Sequence, residues 1–368
     1  MKFFTKLFSS CLILLLAIFA ACTPEKGNKG KLGEEKPLQE EPMSQITLDK
    51  LGKYTVSDPV KVKNLQVFFI YSYEVSKSLD KNYITLNEGC KDKVIEVSEL
   101  KNAQVERLVV SNNSKMPLFI AAGELVKGGK QDRTMQVCMV VPAGEKYVPI
   151  PSFCIEASRW SNSKKALKFS STISIAGNEN MQAIAQKSQG KVWNSVAQSK
   201  KMLRFNAKKM ANKAEGKSKT SSLNEELNDE DVKKLIEMYK KATTSGLRKI
   251  KKPVVGFAYA VNGKMVAMHM FSSSKLFYKM WDKYVVSMSI DAGSKKIDKS
   301  FKPAKINDVV KFTKKLRKGE KHVENFVPDN KSVRYLDKKN YTIEAFYKNT
   351  PVYIMLGTFD EDYNPAKK

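Results

Sequence analysis

Short apolar runs broken by turn clusters fill the first half of the chain. Residues 61–71, 93–99, 105–111 and 118–121 are rich in Val, Ile, Leu and Phe, with Ser111-Asn112-Asn113-Ser114 as one of the breaks, a pattern that predicts strands. Two hairpins stand out. One runs over 133–141, turns at Pro142-Ala143-Gly144-Glu145 and returns over 146–156; the other runs over 254–261, turns at Asn262-Gly263 and returns over 264–271. The second carries Val255, Phe257 and Tyr259 on one face and Val254, Ala258 and Ala260 on the other, so it is expected in the middle of a covered sheet. Between the hairpins, about 180–252 reads as helical and strongly charged, with Lys200, Arg204 and Lys208 recurring every four positions as a cationic stripe. That stripe is expected to be a solvated face, with lipid headgroups as the alternative contact. Residues 216–228 read as a flexible loop, and 229–241 as a second helix capped by Asn228. Strands over 340–347 and 351–359 end the pattern, which contains no internal repeat. The fold class expected is α+β, a β-rich antiparallel sheet or sandwich core with flanking helices.

The N-terminus follows a different rule. Lys2 and Lys6 precede an apolar run from Cys11 to Ala21. As a helix those residues rise about 16 Å, against roughly 30 Å of hydrocarbon, which predicts a cleaved signal peptide over 1–21. The run ends Phe19-Ala20-Ala21-Cys22, similar to the box in which bacterial lipoproteins are cleaved and lipidated on Cys. Cys22 is therefore the expected lipidation site. Residues 22–45, rich in Pro, Gly and charge, read as a tether with a reach of about 25 Å, and 46–365 as one domain that includes the charged helical segment. These features predict a cell-envelope protein whose membrane partner is reached through the lipid on Cys22, on the outer membrane where one exists.

Composition narrows the chemistry. Lys and Arg number 65 against 38 acidic residues, a net charge of +27, yet only seven of the 65 are Arg. In a chain that defaults to Lys, each retained guanidinium points to a place where planar, two-pronged geometry matters. With only His269 and His322 available, neither a His-rich metal site nor a metal cofactor is expected; His269 is expected in the core, opposite Gly256. Beyond the signal and Cys22, Cys90, Cys138 and Cys154 form an odd set without a CxxC spacing, so at least one thiol stays unpaired within the chain.

Special residues are densest from Gly123 to Arg133 and again at Pro151-Ser152-Phe153-Cys154-Ile155-Glu156 and Arg159-Trp160. Pairing Val141 with Lys146 across the first hairpin places Arg133 opposite Cys154 and Gln131 opposite Glu156, so all four side chains share one face. The same register separates Cys138 from Cys154 by roughly 17 Å, too far for a disulfide. Pro149 and Pro151 lack donors on the same side, which predicts a strand edge there. Gly128-Gly129-Lys130 departs from a Walker A loop in the position of Lys and in the Gln131 that follows. A looser backbone nest for an anion beside Lys130 and Arg133 is the alternative, and a structural bridge from Arg133 to Glu156 or Glu124 is a third reading.

The same strings, with Tyr83-Ile84-Thr85-Leu86-Asn87-Glu88 before them and Gln189-Gly190-Lys191-Val192-Trp193 after them, resemble the ARG and rhodanese-phosphatase superfamily associated protein domain, where ARG stands for ADP-ribosylglycohydrolase. Asp132 stands where that family usually has Asn. The resemblance implies an association with ADP-ribose or related nucleotide chemistry and names no reaction.

Two functions follow. In the first, Lys130, Gln131, Arg133, Glu156, Arg159 and Trp160 bind an anionic, phosphate- or nucleotide-like ligand. In the alternative, Glu124 and Glu156 act as acid and base of a hydrolase on an ADP-ribose-related, glycosidic or phosphate linkage. Nucleic acid is not an expected partner, because the basic stretch lacks aromatics interleaved on a sheet.

Overall fold

The computed structural model describes residues 45–48, 52–74, 82–100, 106–157, 168–214 and 221–359. The signal segment, Cys22, Arg159 and Trp160 lie outside them. The architecture is α+β with antiparallel sheets, as the pattern predicts. All described residues belong to one unit, 42–368.

A ten-stranded sheet forms the larger layer. Its order is Gln45–Leu48, Gly52–Val56, Leu65–Tyr71, Val254–Val261, Lys264–Phe271, Thr350–Thr358, Asn340–Tyr347, Asn330–Leu336 and Glu320–Glu324, with Val60–Val62 also pairing on Leu65–Tyr71. Every residue of Leu65–Tyr71 and Val254–Val261 is buried, because both faces of the sheet are covered. One face packs on the helices Gln189–Met210, Glu230–Lys249 and Ser274–Gly293; the other is covered by Ala304, Val309 and Phe312. Gln66, the polar residue in its strand, exchanges two hydrogen bonds with the backbone of Ala304. The second hairpin turns where the sequence places it, Asn262 and Gly263 both adopting positive φ (49° and 74°). A bulge at Tyr259/Ala260 then shifts the register by one, so His269 faces Phe257 rather than Gly256.

Six strands close into a barrel in the order Arg133–Met135, Val148–Cys154, Arg107–Asn112, Ile95–Glu99, Lys168–Ile175, Glu124–Gly128. A three-stranded sheet of Met139–Val141, Leu118–Ile120 and Ile84–Thr85 adjoins it through a common apolar core. The first expected hairpin is thus split. Arg133 does pair with Cys154, but the continuous strand 133–141 does not form. Ser152 N–H donates to Glu106 O on one side, and Pro151 O accepts from Gln136 N–H on the other. By alternation the missing donors of Pro149 and Pro151 fall on the Gln136 side, so pairing stops there and Met139–Val141 pairs with Leu118–Ile120 instead.

The charged helical segment resolves into Asn178–Ala185, Gln189–Met210, Leu223–Glu226 and Glu230–Lys249. Leu223–Glu226, expected within a loop, is a helical turn with Leu223 and Glu226 fully buried. Asp229, not Asn228, caps the next helix, its Oδ1 accepting the N–H groups of Asp231 and Val232. The cationic stripe is not a solvated face. Arg204 pairs with Glu226 and Asp229, Lys208 pairs with Asp231, and Lys200 is buried.

Candidate functional site

Antiparallel pairing around the barrel brings the connection 129–132 and the strand ends at Glu99, Arg107, Cys154 and Lys168 to one end. Loops gathered at one end of a rigid β scaffold are where such folds place binding groups. At this mouth sit Glu99, Lys130, Gln131, Asp132, Arg133, Cys154 and Glu156, on the ends of the strands that form it.

Arg133 is fully buried, and Gln131 and Glu156 are almost so. Residues from outside the two strands cover them. The Gln189 side chain donates to Cys154 O at 2.8 Å and accepts Cys154 N–H at 2.9 Å, occupying the place of a neighbouring strand. Ser222 and Asn224 both donate to Asp132 Oδ2, at 3.1 and 2.9 Å.

The Arg133 guanidinium lies 3.6 Å from Glu99 Oε1, not against Glu156 or Glu124, and its NH1 donates to Gln131 O at 2.9 Å. Its Nε and NH2 have no hydrogen-bond partner, nor do Glu99 Oε2, Ser152 Oγ and Thr134 Oγ1. Gln131 Nε2 donates to Glu156 O, and Asp132 N–H donates to Glu156 Oε2 at 3.0 Å. Burial pushes the Cys154 thiol up, with the Arg133 charge opposing. Lys200 is lowered by burial, with Glu226 opposing.

The Gly-Gly-Lys loop is not an open anion nest. Gly128 N–H goes to Asp132 Oδ1, Gly129 N–H to Lys168 O and Lys130 N–H to Glu99 Oε1. Gly129 adopts φ 55°, and a Cβ there would lie 2.1 Å from the Phe169 ring and 2.8 Å from Glu99 Oε1, so the loop closes tightly over the barrel end. Side chains, not loop amides, are left to meet a ligand.

Glu124 and Glu156 do not come together. Glu124 lies two residues from Val126, the partner of Arg133, and Glu156 two residues from Cys154 in the opposite direction. That is about 13 Å along the strands, beyond the roughly 5–10 Å that separates paired catalytic carboxylates. Glu124 instead accepts from Lys283 Nζ at 2.5 Å and from Ala121 N–H at 2.8 Å, and Lys283 also donates to Ser171 Oγ at 2.9 Å. His269 is a satisfied core residue. Its Nδ1 lies 2.7 Å from the Tyr353 hydroxyl, it stacks on Phe257, and burial lowers its pKa to about 3. Trp281 packs in the core against Phe69 and Phe257, whereas Trp193 is exposed. Among the described residues no three His, Cys, Asp or Glu side chains cluster as metal ligands.

A family model described as the ARG and Rhodanese-Phosphatase-superfamily-associated Protein domain matches residues 53–356. The chain belongs to that family. No curated protein and no solved structure matches it. The family match spans both the barrel and the large sheet, so the domain comprises the two together. Glu99, Ser152, Gln189, Ser222, Asn224 and Lys283 are the site residues that sequence reasoning missed. Ser152 and Gln189 lie within recognised strings; Glu99, Ser222 and Asn224 reach the mouth from other segments, and Lys283 pairs with Glu124 away from it.

Proposed function

We propose that this family member is an envelope lipoprotein, anchored through Cys22, whose barrel mouth binds a small phosphate-bearing ligand with Arg133 as the anion-contacting residue. One observation carries the reading: a fully buried guanidinium keeps Nε without a hydrogen-bond acceptor and NH2 with only the 3.6 Å ion pair to Glu99, while the hydroxyl of Ser152, two residues before Cys154 on the paired strand, is also unpartnered. Buried donors left unpaired are costly, roughly 1–3 kcal/mol each, and a ligand oxygen between guanidinium and hydroxyl removes that cost. The planar fork suits a phosphate better than an ammonium would. Arg159 and Trp160 belong to the 155–167 connection that leaves from this mouth, which makes them the candidates for a second contact with the anion and a flat surface for a sugar or base. The family's nucleotide association is consistent with phosphate as the shared chemistry.

A thermal-shift screen with inorganic phosphate, ADP, ADP-ribose and sugar phosphates tests the binding. The expected result is stabilisation by at least one of these ligands, weakened at least about tenfold in apparent affinity by Arg133→Lys or Ser152→Ala. A hit that both variants retain at full strength moves the site elsewhere, and no response from the panel ends the phosphate reading. Acylation is read separately by palmitate labelling of wild type and Cys22→Ser; label on both removes Cys22 as the anchor.

A further inference from the structure

The long helix spends its cationic stripe on acidic partners, but a second basic segment does not. Residues 295–318 hold ten Lys and Arg against Asp298 and Asp308. This segment forms the cover on one face of the ten-stranded sheet, turning Ala304, Val309 and Phe312 inward. Its outer side presents Lys296, Lys299, Lys302, Lys305, Lys311 and Lys314, all exposed and none in an ion pair with a described residue. Only Lys295, on Glu179, and Arg317, on Glu344, are paired within it among the described residues.

Local geometry fixes the patch in place. Asn262 binds Lys296 O through its amide and receives the Asp298 N–H, while Asn262 N–H donates to Asn64 O. The turn carrying exposed Lys63 therefore joins the same surface. Ile297 stands 43% exposed amid these lysines, an apolar side chain suited to the headgroup boundary. At the other end, the helix Ile306–Thr313 lies beside the strand Gln45–Leu48, the first described element of the chain.

We infer that the 295–318 face docks on an anionic lipid bilayer. The inference deepens the anchored reading above and rests on it: the composition of residues 23–44, between Cys22 and Gln45, predicts a tether with a reach of about 25 Å. Clustered lysines held that close to anionic headgroups add a second, salt-sensitive attachment to the lipid chain. The stripe on Gln189–Met210, the earlier candidate for headgroup contact, is neutralised by Glu226, Asp229 and Asp231 and does not compete for this role.

The test uses the mature chain with Cys22→Ser, which carries no lipid, sedimented with vesicles of phosphatidylcholine alone or mixed with phosphatidylglycerol. Binding is expected only with phosphatidylglycerol, weakened by salt, and reduced at least about tenfold by Lys299→Glu/Lys302→Glu/Lys311→Glu. A control of equal charge change, Lys233→Glu/Lys234→Glu/Lys241→Glu on the exposed side of another helix, is expected to retain most of the binding. Equal loss in the control, equal binding to neutral vesicles, or tighter binding to duplex DNA than to vesicles at the same salt overturns the proposal. Palmitate labelling separates the two readings: an acylated wild type whose unlipidated form ignores phosphatidylglycerol refutes the face alone, and an unacylated wild type with lysine-dependent vesicle binding refutes the anchor alone.

Discussion

The Tyr259 hydroxyl donates a 2.6 Å hydrogen bond to Asp291 Oδ2, and Oδ1 of the same carboxylate accepts the Asn178 N–H at 2.7 Å. Asp291 thereby caps the helix Asn178–Ala185 from a neighbouring helix, where Gly177 offers no side chain. Burial raises its pKa to about 7, opposed by those two hydrogen bonds. The folded state therefore keeps a proton that the unfolded chain has released above pH of about 4. Stability from this group is fully present below that pH, declines as pH rises to about 7, and is level beyond. Asp291→Asn preserves both contacts, with its amide donating to Tyr259, and is expected to flatten that decline by on the order of a few kcal/mol. Denaturant unfolding of both proteins across pH 4 to 8 measures it; equal slopes would clear Asp291 of the effect.

Lys283 and Glu124 tie the helix Ser274–Gly293 to the barrel, both side chains almost wholly buried. Removing one partner leaves the other charge desolvated and unpaired. Lys283→Met is expected to cost roughly 3–5 kcal/mol, whereas Lys283→Met with Glu124→Leu regains most of it. A double variant as unstable as the two single changes added together would mean that the pair contributes through packing alone.

Cys90, Cys138 and Cys154 are all free thiols, and burial raises each, Cys138 to about 12. Thiolate is the reactive form, so native labelling with iodoacetamide at pH 8 is expected to modify half-buried Cys90 slowly and the other two only after unfolding. Mass spectrometry locates the label. Prompt modification of Cys154 would show that the barrel mouth opens in the native state.

Local rules made much of the fold legible. Alternation and the Asn262-Gly263 turn located the central hairpin, and residue parity placed Arg133 against Cys154. The prolines carried the correct signal for the first hairpin, but the apolar run over 133–141 read as one strand because periodicity does not register a missing donor on the partner. His269 was displaced by a bulge that leaves no mark on composition. The site was legible in its strands and not in its lid. Glu99, Gln189, Ser222 and Asn224 reach Arg133, Cys154 and Asp132 from segments tens of residues away. For the same reason Lys200, Arg204 and Lys208 read as solvated, since their acidic partners lie in the following turn and helix.

Two pyrrolidine rings decide which layer claims Met139–Val141. With ordinary residues at Pro149 and Pro151, the returning strand would offer two more amides to 136–141, and a single long hairpin would compete with the small sheet that now stitches the barrel to its neighbour through Asn330 and Val140 O. The present allegiance of Met139–Val141 between layers is thus written in the donors that Pro149 and Pro151 lack.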